Sequence, residues 1–375
     1  MPSCRRHTHL GQHTLRPDGP ASVRLRRAAG HLRPTAAAAI AAGVVTTPSS
    51  SALPPPSPAD HRLPPAERDG DAESRELFRQ EFPTEAFVAP ENEKPGDVKW
   101  FCCEAAARTY VGGFARGANV DDMVSALYRD GFVVLRDFLD VEFVDQCADA
   151  FDPQLAAHVA SLGDDPENRG PQRHSLPLDV DLPFAQLAEH KRLHELLARL
   201  LGADPAMVMM SSDTPMGAGS VFQSVHLDGG AAAVGPFGER EGELAEPEGV
   251  AGHVVFNFPL VDVDERNGPL EISAGSHRYP LASAHRRILD GSAPLERVLM
   301  CKGDCLIRDL RCLHRGSPNL TETPRPNFTA IFAEEAEDGK AMMSVVPRNV
   351  LEGLGPEAQR LLRSFGVSSR AAPAH

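Results

Sequence analysis

An α+β fold is predicted, with helices at the front of the chain and a β-sandwich or jelly roll behind them. Two observations predict it. Apolar residues recur at helical spacing in segments before about residue 202, and from about Met207 the pattern changes to short strand-like runs punctuated by Gly, Pro and Asn. Many short strands following helices, with turns between them and no long-period repeat, suit a β-sandwich or jelly roll flanked by helices.

The elements follow in chain order. Val120–Asp130 is a predicted helix, with Asp121 and Asp122 at its start, Met123, Ala126 and Leu127 on one face, and Gly131 to stop it. Phe132–Leu135 is a short apolar strand, and Val141–Phe151 resumes a helical pattern. Residues 184–201 read as one helix, with Leu193, Leu196, Leu197 and Leu200 on a stripe and Gly202 as its C-cap. Strands are then expected at Val221–His226, His253–Phe258, Val261–Asp264, Leu270–Ile272, Val298–Met300, Cys305–Arg308 and Asn327–Phe332.

Composition separates a tail from a body. The 375-residue chain has a formal net charge of −14, which argues against nucleic acid as a partner, because phosphate binding needs concentrated Lys and Arg. Residues 1–70 hold nine Arg and four acidic residues, so +5 lies in the tail and −19 in the remainder. Residues 1–72 also hold 11 of the 33 prolines and no apolar periodicity, which predicts disorder. This segment, Arg-rich and poor in acids, resembles an organellar transit peptide; a non-functional extension is the alternative. The apolar run Ala36–Val45 is too short to span a bilayer. An intracellular protein, cytoplasmic or organellar, is expected, with residues 73–375 as its folded domain.

Seven cysteines without a framework spacing predict no disulfide scaffold. Cys301, Cys305 and Cys312 lack the second ligand pair of a structural zinc site and read as small buried thiols.

The chemistry-bearing residues lie in the strand-rich half. His226 and Asp228 form an H-x-D pair; His314 lies 88 residues later, and Arg325 eleven beyond it. On an extended strand, positions i and i+2 project from one side, so both side chains can reach one metal. Two imidazoles and a carboxylate can hold one face of an Fe(II) octahedron and leave the other open. Arg325 offers a permanently charged fork for the carboxylate of a 2-oxo acid. An isolated H-x-D carries little weight, but here Val221–Val225 leads into it as a strand and Gly229-Gly230 lets the backbone leave beside the metal. His253, His277 and His285 are other candidate third ligands. His314 is preferred because Cys305–Asp309 precedes it as a strand and Arg315–Asn319 makes a turn that aims it inward. Gln223, three residues before His226, would need a bulge to enter the site. Between Gly229 and Gly252 lie Glu239, Glu241, Glu243, Glu246 and Glu248 with only Arg240 opposing them. That segment is read as a lid that biases the entrance toward neutral or cationic molecules, hence against acyl-CoA esters, with a solvated insertion as the alternative.

From about Met123 to Glu334 the chain resembles the phytanoyl-CoA dioxygenase family. The resemblance is carried by Asp130-Gly131-Phe132-Val133-Val134-Leu135, Asn267-Gly268-Pro269-Leu270, Gly275-Ser276-His277, Gly303-Asp304, the run Leu313–Asn319, and Arg325. It implies a double-stranded β-helix, a cupin-like jelly roll, and an enzyme using Fe(II), 2-oxoglutarate and O2, with ascorbate as reductant. It further implies hydroxylation of a small organic substrate with release of succinate and CO2, Arg325 anchoring 2-oxoglutarate with Ser317 or Thr329, and Gln223 near the co-substrate. Departures are Val225 and Leu227 where an aromatic residue and Gln are common, Ala274 before Gly-Ser-His, and no basic residue in Thr214-Pro215-Met216. Asp228 is retained where related halogenases carry a small residue, which favours hydroxylation. A non-catalytic jelly-roll binding protein and a cupin using another metal are the competing readings.

Overall fold

A computed structural model describes residues 107–162, 172–228, 250, 252–335 and 344–369. The tail and the acidic segment 229–249 lie outside the described residues.

Helix α1 (Val120–Asp130) shows how local chemistry sets the first step. Asn119 caps it by accepting the Asp121 N–H at 2.7 Å, and Gly131 ends it at φ 78°, its N–H returning to Leu127 O. A Cβ at Gly131 would meet His277 Nδ1 at 2.5 Å, so the left-handed turn and the close approach both demand glycine. The chain then enters β2 (Phe132–Leu135) and α2 (Val141–Leu162). The predicted helix over residues 184–201 is in fact two pieces. A 3-10 turn, Phe184–Glu189, precedes α3 (Lys191–Leu201), because His190 leaves the helix and uses its own Nδ1 to cap Leu193 N. All four Leu of the predicted stripe are buried.

Two sheets face each other. β3 (Arg173–Pro177), β4 (Ala206–Pro215), β5 (His253–Pro259), β8 (Cys305–Asp309) and β10 (Asn327–Ala333) join β2 in a six-stranded sheet ordered β2-β8-β5-β10-β4-β3, antiparallel throughout. β1 (Ala107–Tyr110), β6 (Leu270–Ser273), β7 (Leu295–Val298) and β9 (His314–Gly316) form a four-stranded sheet ordered β1-β7-β6-β9, which the single bridge His226↔His314 extends. From β4 onward the chain crosses between the sheets in the order large, small, large, small, small, large, small, large. That alternation makes the core a double-stranded β-helix, and the α+β, jelly-roll expectation agrees with it.

The outer face of each sheet is covered. Phe256, Phe258, Phe328 and Phe332 of the large sheet join Phe151 of α2, Phe184 and the leucines of α3 in the main core. Phe328 meets the rings of Phe151 and Phe184 edge-on at 5.3 and 4.9 Å. The short C-terminal helices α4 (Arg348–Gly353) and α5 (Pro356–Leu361) add Val350, Ala358 and Leu361 to the same core. The helix Leu281–Leu289 covers Val225, Leu295 and Leu313 on the small sheet. Between the sheets, Phe132, Val134, Ile272, Val298 and Leu306 fill one end.

Several strand expectations need correction. Val221–Val225 is no strand; only His226 bridges β9, because the Gln223 side chain takes the Gly316 N–H that a ladder partner would otherwise use. Val261–Asp264 contributes only the bridge Val263↔Met300, since the Asp264 carboxylate turns the chain by accepting the N–H groups of Arg266 and Asn267. The strand expected at Val298–Met300 lies earlier, at Leu295–Val298. Arg315 and Gly316, expected in a turn, belong to β9. Cys305 and Cys312 are buried free thiols, whereas Cys301 is disulfide-bonded, which corrects the reading of all three as free.

Candidate active site

The His226/Asp228 pair and the distant His314 meet inside the jelly roll. One ligand atom from each lies within 4.8 Å of the others, the one such cluster of His, Cys, Asp or Glu among the described residues. His226 and His314 sit opposite each other across the antiparallel bridge, with ring centroids 4.5 Å apart. Each imidazole is oriented in the same way: Nδ1 lies against the carbonyl two residues earlier, Ser224 O at 2.7 Å and Cys312 O at 3.0 Å. Donation from Nδ1–H leaves Nε2 as the lone-pair nitrogen, the form a metal takes.

The protonation states suit a cation. Burial, together with the Arg308 guanidinium, pushes His314 well below its usual range, so it is neutral at physiological pH. Burial alone would raise the Asp228 carboxyl, yet Arg308, His314 and His226 hold it well below the usual carboxylate range. Two imidazoles and an ionised carboxylate are the donor set of a facial Fe(II) site with open positions opposite, so the residues fit that metal.

Arg325 stands just before β10. It is 4% exposed, and its Nη2 donates to Gly268 O, which places the Asn267-Gly268-Pro269-Leu270 turn against it. Its Nε has no hydrogen-bond partner. Burial pushes it down to about 10, with Asp213 opposing and Arg173 adding to the shift, so it remains a cation at neutral pH. A buried guanidinium with an orphaned N–H fits the carboxylate of a 2-oxo acid.

The other expected residues divide. Thr329, on β10, accepts from Asn257 Nδ2 at 2.9 Å through Oγ1. Ser317 donates its hydroxyl to Pro269 O at 2.6 Å and so pins the turn beneath Arg325. Gln223 Oε1 accepts the Gly316 N–H at 2.9 Å, which commits that oxygen to β9. His277 and His285, weighed as ligands, lie against Tyr128 O and Val225 O instead.

Two arginines were missed. Arg173 on β3 is 1% exposed, donates to Asp213 Oδ2 and to Ser317 O, both at 2.8 Å, and lies close enough to push Arg325 down. A Cβ on Gly316 would come within 2.5 Å of its guanidinium, so that glycine makes room for it. Arg308 on β8 pairs with Asp228. Neither position stands in a motif; the one available signal is at Arg308, which follows the apolar run Cys305-Leu306-Ile307 in its strand.

The family profile described as phytanoyl-CoA dioxygenase (PhyH) matches residues 127–327. The Fe(II)/2-oxoglutarate-dependent dioxygenase nvfF of Aspergillus novofumigatus is 25% identical over 278 residues, 68% of this chain and 86% of that protein. The multifunctional dioxygenase prhA of Penicillium brasilianum is 24% identical over 269 residues, covering 68% and 85%. Among solved structures, the epimerase SnoN in complex with Fe3+, alpha ketoglutarate and nogalamycin RO aligns with a TM-score of 0.41 at 22% identity, covering 58% of this chain and 84% of that one.

Proposed function

This chain belongs to the phytanoyl-CoA dioxygenase family of enzymes dependent on Fe(II) and 2-oxoglutarate, and we propose that it hydroxylates a small organic molecule with release of succinate and CO2. The observation that carries the reading is the convergence of His226, Asp228 and His314 in one cluster, in a jelly roll that also buries Arg325 with an unpaired Nε.

Each residue has a role set by its environment. His226 and His314 would hold Fe(II) through Nε2, their rings fixed by Nδ1–H bonds to Ser224 O and Cys312 O. Asp228 would give the third donor, and its retention favours hydroxylation over halogenation. The bound iron and co-substrate supply the oxidative chemistry; the protein supplies orientation and a site shielded from water. Arg325 would grip the distal carboxylate of 2-oxoglutarate, and the Thr329 hydroxyl, on the inner face of β10, would assist it. Ser317, Arg173 and Gln223 act on the pocket's shape: the first two tie down the strands around Arg325, and Gln223 holds Gly316 in register next to His314. Half-buried Met209, Ser211 and Ile331 lie on the same inner face of the large sheet and would meet substrate.

Among the described residues no helix is long and apolar enough to cross a membrane. The bias against acyl-CoA esters rests on the segment 229–249 and stays a proposal from its charge alone.

The test is anaerobic loading with Fe(II) and 2-oxoglutarate, a panel of candidate substrates, exposure to O2, and measurement of succinate and product mass. A product heavier by one oxygen is expected for one substrate, with succinate formation abolished in His314→Ala. Undiminished turnover and retained iron in His314→Ala would overturn the assignment.

A further inference from the structure

Asp228 is held less firmly by backbone than the histidines are. Its N–H reaches Leu310 O at 3.0 Å, but it lies beyond the bridge at His226 and pairs in no ladder. A carboxylate on such a segment can rotate unless its side chain is tied. Arg308 ties it: Nη2 donates to Asp228 Oδ2 at 2.5 Å. Arg308 is itself locked, since its Nε donates to Asn257 Oδ1 at 3.0 Å and Asn257 Nδ2 donates to Thr329 Oγ1 at 2.9 Å. Thr329 and Asn257 are register partners on β10 and β5, and Arg308 lies on adjacent β8 facing the same way. Both Arg308 and Asn257 are at most 5% exposed. Arg308 Nη1 has no hydrogen-bond partner, so the guanidinium is held for its contact with Asp228 and not by a surrounding cage of acceptors.

We propose that Arg308 is the positioning residue of the metal centre: the relay Thr329–Asn257–Arg308 transmits the rigid register of three central strands to Asp228, the one metal-binding residue of the three that makes no β-bridge. This rests on the metal centre proposed above. A planar fork does this better than an ammonium, because Nε and Nη2 fix the plane at two points, whereas a Lys amine would pivot about one. Groups that orient a ligand from behind typically change metal affinity or activity by about 10–100-fold when removed.

The experiment uses Co(II) as an oxygen-stable probe, titrated anaerobically into metal-free full-length protein, with affinity and ligand-field spectrum read directly. Thermal melting of the metal-free proteins serves as the fold control. Wild type binds Co(II); Arg308→Leu is expected to bind it about 10–100-fold more weakly with an altered band pattern. Arg308→Lys should recover only part of the affinity, and Asn257→Ala should show a smaller loss with the same spectral change. If Arg308→Leu does not fold, the Lys and Asn257→Ala variants carry the test. Unchanged or tighter Co(II) binding with a wild-type spectrum in folded variants overturns the role, as does full recovery by Lys, which would make charge alone sufficient. A wild-type protein that binds no Co(II) would instead sink the metal centre itself.

Discussion

On β10 the residues Phe328, Ala330 and Phe332 point to one side of the large sheet, and Thr329 and Ile331 to the other. The same division runs through β4, where Ser212 and Thr214 are buried outside while Ser211 and Asp213 are half-buried inside. It continues on β5, with Phe256 and Phe258 outside and Asn257 inside. On β5 and β10 one face is therefore an apolar floor for the helices, with Ser212 and Thr214 of β4 at its margin, and the other a polar wall bearing Arg308, Asn257 and Thr329. The two faces differ in energetic sign. Burying a phenyl ring is favourable in itself, whereas a buried guanidinium is tolerated only with partners, so the outer face must stabilise what the inner face costs. A register shift on β4 between the partners of Ile331 and Phe332 lets Met207 and Met210 both point outward and keeps the faces distinct to the strand's end.

Breaking the outer face should have the largest effect. Phe328 contacts two rings and is 4% exposed, so Phe328→Ala is expected to cost about 3–5 kcal/mol of stability, read by denaturant unfolding. In the protein that remains folded, the KM for 2-oxoglutarate should be unchanged; a shift would mean that the two faces are not separable.

The inner face should respond the other way. Arg325→Ala is expected to raise the KM for 2-oxoglutarate about a hundredfold while the metal stays bound, and Arg325→Lys to recover only part of it for want of the planar fork. An unchanged KM would assign the carboxylate to another cation, and Arg173 is the first place to look.

A smaller effect comes from pH. His174 lies on the outer face opposite Thr214, and burial, with His158 beside it, lowers it from its usual value. Its unfolded form therefore takes up a proton at a pH where the native form does not. Stability should be full above about pH 6.5 and fall as the pH drops from there through the lowered folded value. His174→Gln should flatten the loss of Tm between about pH 7.5 and 5.5 in metal-free protein. An equal loss in both proteins would show that His174 titrates normally.

The helix Val120–Asp130 was legible because its cap, stripe and stop are all local, and Gly131 has to be glycine whatever packs on it. Residues 184–201 read as one helix although the leucine stripe begins only at Leu193; His190 capping the turn that follows it is invisible to periodicity. Val221–Val225 read as a strand for a related reason: its composition suits one, but Gln223 spends a side-chain oxygen on the partner strand's backbone.

By itself, the sequence determined the alternating polarity of β5 and β10, and it singled out His226, Asp228, His314 and Arg325. Those residues announce themselves by type and by short spacing, through an H-x-D pair, a His at a strand end, and an Arg before a strand. Only the tertiary structure decided which side chains support them. Arg308 reaches Asp228 across 80 residues of chain, and Arg173 reaches Ser317 across 144. Such contacts depend on which strands become neighbours and in what register, and the order β2-β8-β5-β10-β4-β3 is settled by sheet packing over the whole domain, not by any local run of residues.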